Sequence, residues 1–235
     1  MKIISGIYWE KGKRLYNQDS VTLQQVMTGR GRVLLVAVSD GIGGLENGEI
    51  ASGYILERIV HTFYHQLLQL IYKRKGKIPL KKCMIRCFYG INQDLNRYAR
   101  DREIRLGATV SLVLIWKRRY MLFHLGDSCI YLCRRQKLKQ LTKDHGSSKG
   151  LAKCLGSFGF QYPDIRFGHI VGECGFLLCT DGFYKKMDIT MAGEVLCPVD
   201  IKEELQVSRR LKTLGESVLK AGEKDNCSAV YVKVW

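Results

Sequence analysis

Two near-continuous apolar runs of strand length, residues 32–39 and 175–180, constrain this chain most, because each leads directly into an Asp-Gly pair: Asp40-Gly41 and Asp181-Gly182. An apolar run of that length reads as a buried strand. The fold must therefore enclose a sheet and carry a carboxylate at the end of at least two of its strands. Glycine beside each aspartate permits a tight turn and lets the backbone carbonyl approach a ligand with no side chain in the way.

The rest of the pattern says what surrounds that sheet. Residues 2–9 and 20–27 are β-rich around a polar turn. From about residue 48 the period changes: Ile50, Tyr54, Ile55, Ile59, Phe63, Leu67, Leu70 and Ile71 recur at helical spacing up to the basic loop near Lys75, which predicts one long helix. Pro79 can open a second, with Cys83, Met84, Phe88, Ile91 and Leu95 on its apolar face and an end near Arg100. Residues 108–116, 120–125, 129–133 and 137–141 then predict successive strands of an antiparallel meander. After 175–180 come a looser helical stretch, a helix over about 201–222 and a last strand, 227–234. Runs of strands separated from runs of helices argue for an α+β fold with helices outside layered sheets, in a single domain over 1–235.

Composition narrows the function classes. The 235 residues carry 38 Lys and Arg against 22 Asp and Glu, a net charge of +16 that attracts anions at long range without naming one. The basic clusters are scattered and no nucleic-acid-binding motif surrounds them, so acidic or phosphorylated protein is the expected partner rather than nucleic acid. Nine scattered cysteines with no Cys-x-x-Cys pair suggest free thiols in a core, not a disulfide framework or zinc site. No apolar run is long enough to span a membrane, and residues 1–10 lack the apolar stretch of a signal peptide. A soluble cytoplasmic protein is expected, and with no heptad repeat, a monomer.

Three more aspartates join Asp40 and Asp181. Asp127 follows an apolar strand in Leu125-Gly126-Asp127-Ser128, Asp225-Asn226 precedes the last strand, and Asp19 closes Asn17-Gln18-Asp19. Clustered carboxylates repel unless cations lie between them, and carboxylate with carbonyl oxygen suits Mg²⁺ or Mn²⁺ better than zinc. One Asp-Gly pair alone reads as a plain turn. In order, however, Arg14-x-x-Asn17-Gln18-Asp19, Asp40-Gly41-Ile42-Gly43-Gly44, Gly107-Ala108-Thr109, Gly126-Asp127-Ser128, Thr180-Asp181-Gly182 and Lys224-Asp225-Asn226 closely resemble the motifs of the bacterial protein phosphatase 2C family, nearly end to end.

That resemblance implies a four-layer α/β/β/α sandwich, two mainly antiparallel sheets flanked by helices, with metals in a cleft at one edge. It implies metal-dependent hydrolysis of phosphoserine and phosphothreonine in proteins by a metal-activated bridging water, opposing a serine/threonine kinase. Residue by residue, Asp40 matches the carboxylate bridging two Mn²⁺ or Mg²⁺ ions. Gly41 matches a carbonyl ligand of one, Asp181 and Asp225 match ligands of the other, and Asp127 matches a third, weaker site that Asp181 can share. Asp19 matches an acid that binds or orients metal-bound water, and Arg14 the arginine that grips the substrate phosphate. The alternative is a pseudophosphatase that keeps the fold and uses its basic surface to bind a phosphoprotein.

The chain also departs from the family. Ile42 stands where many eukaryotic relatives have a histidine, leaving the general acid unassigned. His124 and His145 read as structural. The stretch between Leu141 and Cys154 is short, which predicts a reduced flap near 146–153 with Ser147, Ser148, Lys149 and Lys153 as polar remnants. Lys185 and Lys186 after the second Asp-Gly would favour acidic phosphoproteins at the cleft; a solvated turn is the other reading. Asn92-Gln93-Asp94 repeats the Asn-Gln-Asp tripeptide inside a predicted helix and reads as a solvated helix face. His61 and His65 read as ordinary helix residues, since no Glu lies between them.

Overall fold

Strand β3 (Gly31–Asp40) shows why its sequence lacks polar alternation. Val33, Leu35 and Ala37 face a helical layer, while Leu34, Val36 and Val38 face a second sheet, so both sides of the strand are core. The computed structural model describes residues 1–42, 47–147, 150, 151, 153–156 and 159–235, with backbone alone at 147, 150 and 151. Gly43 and Gly44 of the first Asp-Gly segment, and Ser148 and Lys149, lie outside the described residues.

The sheet around β3 has β2 (Asp19–Thr28) on one side and, on the other, β4 (Val110–Trp116), β5 (Arg119–Leu125) and β10 (Asp164–His169) in that order. The second sheet runs β1 (Ile3–Glu10), β12 (Cys227–Val234), β11 (Cys174–Cys179), β6 (Cys129–Arg134), β7 (Lys137–Gln140). Every pairing in both is antiparallel. A two-stranded hairpin, β8 (Gly146–Ser147) with β9 (Gly150–Leu151), stands apart.

Helix α1 (Gly48–Thr62) continues through one π-helical turn, Phe63–Leu67, into α2 (Leu68–Tyr72), giving the long helical run expected there. The wide turn keeps Phe63 and Leu67 buried and leaves His65 outside, where its ring lies 4.2 Å from that of His61. Helix α3 (Lys77–Asp101) starts two residues ahead of Pro79, which sits in the first turn, where its missing N–H costs no helical bond. These helices cover the β3 sheet, with Phe88 meeting Phe123 edge-on. The second sheet is covered by α4 (Asp181–Tyr184), α5 (Ile189–Val195) and α6 (Glu204–Lys220). The four layers are those expected. Three apolar cores separate them, and each fully buried Leu, Ile or Phe contributes about 1.5–3 kcal/mol.

Antiparallel pairing also places the site. The last residue of β3 lies opposite the first of β2, and β4 begins and β5 ends at that same end of the sheet. In the second sheet the ends of β1 and β11 meet the starts of β12 and β6. The segments carrying Arg14, Asp19, Asp40, Asp127, Asp181 and Asp225 are all connections or termini at these ends.

Two sequence readings need correction. Strand β10 was not anticipated, although Ile165 and Phe167 alternate with Asp164, Arg166 and Gly168 and pack on the helical core. The Asn92-Gln93-Asp94 tripeptide is a solvated face only at Gln93: Asn92 is buried and its Oδ1 accepts from Gly156 N at 2.9 Å, while Asp94 Oδ2 accepts from Tyr54 Oη at 2.7 Å. It is structural glue between α3 and its neighbours.

Candidate active site

Asp19 and Asp40 are cross-strand partners at the open end of the β2–β3 ladder, so their side chains leave the same face. Asp19 is almost fully buried; its Oδ2 accepts from Thr180 Oγ1 at 2.9 Å, and its Oδ1 has no partner. Burial, reinforced by the charges of Asp181 and Asp225, pushes its carboxyl up to about 7 against the pull of the nearby Ser228 and Thr180 hydroxyls. Asp40 lies well above the usual carboxylate range through burial and the charges of Asp19, Asp181 and Asp127. Asp127 is raised to about 6, by burial first and Asp181 second. The charge of Asp181 thus acts on all three of the other aspartates.

Hydroxyls and glycines hold this arrangement. Thr109 Oγ1 accepts from Asp40 N at 3.0 Å and shares a 2.7 Å hydrogen bond with Ser128 Oγ, tying the Gly107-Ala108-Thr109 segment to Gly126-Asp127-Ser128. Ser39 Oγ donates to Thr109 O at 2.6 Å. Gly126 turns at φ +112°, and a Cβ there would lie 2.5 Å from Thr109 Cβ. Gly41 leaves no room for a side chain either: its Cβ would meet the Gly48 carbonyl carbon at 2.5 Å.

Basic groups reach in from two sides. Arg14 forks onto Asp225, Nε to Oδ1 and Nη2 to Oδ2, both at 2.9 Å, which raises the guanidinium pKa further. Lys185 Nζ donates to Asp181 Oδ2. Burial opposes the lysine charge, but Asp181, Asp127 and Asp40 outweigh it and hold the amine above its usual value. Lys186 does not join: its amine donates to the Gly222 carbonyl at 2.6 Å. His124 and His145 are structurally engaged, stacked 4.7 Å apart, with His124 bonded to Ser111 Oγ and Lys143 O and His145 to Asp164. Lys153 is bonded to Asp164 as well, at 3.2 Å.

Asn226 is the residue whose role the sequence hid. Its Nδ2 donates to Lys11 O and Tyr16 O and its Oδ1 accepts from Gln18 N, all at 2.9 Å, so one buried amide clamps the loop that carries Arg14. Asn226→Ala is expected to cost about 1–3 kcal/mol, since three part-buried hydrogen bonds to the loop backbone are lost, and to raise KM by loosening Arg14. Thermal denaturation and a substrate titration check both; an unchanged melting temperature would remove the clamp.

The donor set fits hard divalent cations. It is all oxygen, several carboxyls are held above their ordinary pKa by burial and by neighbouring carboxylates, and Asp19 Oδ1 is a buried acceptor with nothing to accept from. Among the described residues no three His, Cys, Asp or Glu side chains close tightly enough to enclose an ion as placed. The carboxylates gather at one end of the two sheets, with Arg14 and Lys185 as their immediate counter-charges.

Residues 11–228 match the sequence profile of protein phosphatase 2C. The class is that of metal-dependent protein serine/threonine phosphatases. Protein phosphatase PhpP of Streptococcus pneumoniae is 23% identical over 245 residues, covering 94% of this chain and 93% of its own. A putative protein phosphatase of Mycoplasma genitalium is 28% identical over 230 residues, covering 86% and 85%. The solved catalytic domain of serine threonine protein phosphatase PstP, in complex with 2 manganese ions, superposes with a TM-score of 0.77 at 23% identity over 98% of this chain and 97% of that one. The chain belongs to the protein phosphatase 2C family.

Proposed function

We propose that this protein hydrolyses phosphoserine and phosphothreonine esters in protein substrates, using two Mn²⁺ or Mg²⁺ ions, and opposes a serine/threonine kinase. The observation that carries the reading is the cluster of Asp19, Asp40 and Asp127, carboxyls raised by burial and by neighbouring carboxylates, beside Asp181 and an arginine already forked onto Asp225. Asp40 and the Gly41 carbonyl, with Asp181 and Asp225, are the ligands we assign to two ions; Asp127 with Asp181 would hold a third. When bound, such ions supply water of lowered pKa and counter-charge for the phosphoryl oxygens.

The chain's own residues do the rest. Asp19, fixed by Thr180, orients the water and draws its proton. Arg14 has a planar fork that suits two phosphoryl oxygens as well as it suits Asp225, so it passes from one to the other once that carboxylate is neutralised. Lys185, on its flexible stem, supplies a second positive charge at the same mouth. With both histidines structurally engaged, the leaving oxygen takes its proton from water. Strands β8 and β9 belong to the reduced flap we assign, which would leave the site open to folded substrates.

Among the described residues no helix is long and apolar enough to cross a membrane. We take the working form to be a cytoplasmic monomer whose residues 1–235 make one catalytic domain. A second reading, a phosphoprotein-binding module that hydrolyses nothing, is favoured by the two ion pairs, which neutralise Asp181 and Asp225 without any ion. Phosphate release from a phosphothreonine peptide separates the two. Turnover with Mn²⁺, loss in EDTA and recovery on adding Mn²⁺ back are expected; peptide binding without turnover in any metal would establish the second reading.

A further inference from the structure

The loop that carries Arg14 holds a feature the hydrolytic reaction does not need. Leu15 and Tyr16 are the two most exposed large apolar side chains among the described residues, at 86% and 75%. They are not on a slack segment. Asn226 clamps the backbone at Lys11, Tyr16 and Gln18; Lys13 N donates to Lys224 O at 3.2 Å and Arg14 N to Lys11 O at 3.3 Å. The Tyr16 carbonyl is itself one of the clamped groups. A pinned backbone thus presents two apolar side chains to water, directly beside the arginine at the mouth of the cleft.

Single exposed apolar residues need no explanation, but an adjacent pair on a fixed loop next to a functional side chain is a ready apolar platform. Its position selects the occupant. Successive residues of an extended peptide advance about 3.3 Å, so a side chain one or two positions from a phosphoserine or phosphothreonine held by Arg14 falls within reach of Leu15 and Tyr16. Tyrosine suits the task, giving a large contact area at low conformational cost. No acidic or basic group belongs to the pair, so what it favours is apolar surface rather than charge.

We infer that Leu15 and Tyr16 form a specificity platform that docks an apolar side chain flanking the phosphorylated residue of the protein substrate. This rests on the phosphatase reading above and extends it to sequence choice. The basic charge of the protein draws in acidic phosphoproteins from a distance; the platform selects among phosphosites at contact.

The test uses the full chain with Mn²⁺ and two sets of phosphothreonine peptides, identical except for leucine or serine scanned through the two positions on either side of the phosphothreonine. The wild type is expected to prefer leucine at one of these positions by about tenfold in kcat/KM, chiefly through KM. In Leu15→Ser/Tyr16→Ser that ratio is expected to collapse to about one, the serine peptide serving as internal reference. Because both side chains are exposed, the substitutions leave the folded state intact, which circular dichroism checks. Equal rates on leucine and serine peptides, or a preference that survives in the double variant, would overturn the platform. Turnover of p-nitrophenyl phosphate by the wild type is measured alongside: equal peptide rates remove the platform alone where either substrate is turned over, and no turnover of the peptides or of p-nitrophenyl phosphate removes the phosphatase reading and the platform with it.

Discussion

Asp181→Ala is expected to lower kcat/KM on a phosphothreonine peptide in Mn²⁺ by about 10³-fold or more, a loss of about 4 kcal/mol of transition-state stabilisation. Asp181 is the carboxylate most entangled with the others: it raises the carboxyls of Asp19, Asp40 and Asp127, and it anchors Lys185. Alanine removes an oxygen donor assigned to the ions and leaves Lys185 uncommitted, so two contributions are lost together. The fold should survive, because the side chain is not part of a core and its removal relieves repulsion among its neighbours. The matched control is Asp94→Ala. That residue closes the same Asn-Gln-Asp tripeptide as Asp19, yet it sits on α3 bonded to Tyr54. It is expected to cost about 1 kcal/mol of stability and to leave activity within about twofold. If Asp181→Ala kept more than about a tenth of the wild-type activity, the two-ion assignment would be wrong.

Much of this arrangement was legible in the sequence because it rests on short-range pattern. The two apolar runs that end in Asp-Gly read directly as buried strands. Helical spacing marked the runs now seen as α1–α2 and α3 to within a few residues. The motif order brought Asp19, Asp40, Asp127, Asp181 and Asp225 to attention together, and the antiparallel ladders set all five at one end of the sandwich. What stayed hidden depends on residues distant in the chain. Thr180 reaches Asp19 across 161 positions, and Asn226 reaches Gln18 across 208; neither spacing leaves a periodic trace. Lys185 and Lys186 look equivalent in sequence, yet a turn of helix sends one amine to Asp181 and the other to the Gly222 carbonyl. Strand β10 escaped because its alternation is short and includes a glycine and a charged pair. The buried role of Asn92 escaped because a polar tripeptide on a helix normally faces water.

The metal-free protein should be stabilised by the loss of one of its own candidate ligands: Asp19→Asn is expected to be more stable than the wild type in EDTA, by a margin that widens as pH rises from about 5 to about 8. The Asp19 carboxyl titrates near 7 when folded and near 4 in an unfolded chain. Between those values the folded state holds the extra proton, so unfolding releases it and stability falls with rising pH. The penalty is absent below the unfolded value and complete above the folded one, on the order of a few kcal/mol. Asparagine carries no charge and can still accept from Thr180 Oγ1, so it escapes the penalty. His124 works in the opposite sense at lower pH, since burial lowers its pKa to about 4 and its stabilising contribution grows as pH rises from there towards 6.5. It is present in both proteins and cancels from the difference. Thermal melts of the pair at pH 5 and pH 8 in EDTA measure the margin, and a constant or shrinking one would mean that Asp19 is not short of counter-charge. Saturating Mn²⁺ should close the margin at pH 8, because ions held by the neighbouring carboxylates would supply counter-charge beside Asp19 and remove the penalty that asparagine escapes. The residue that makes the empty cleft costly to fold would thus be one that makes the loaded cleft work.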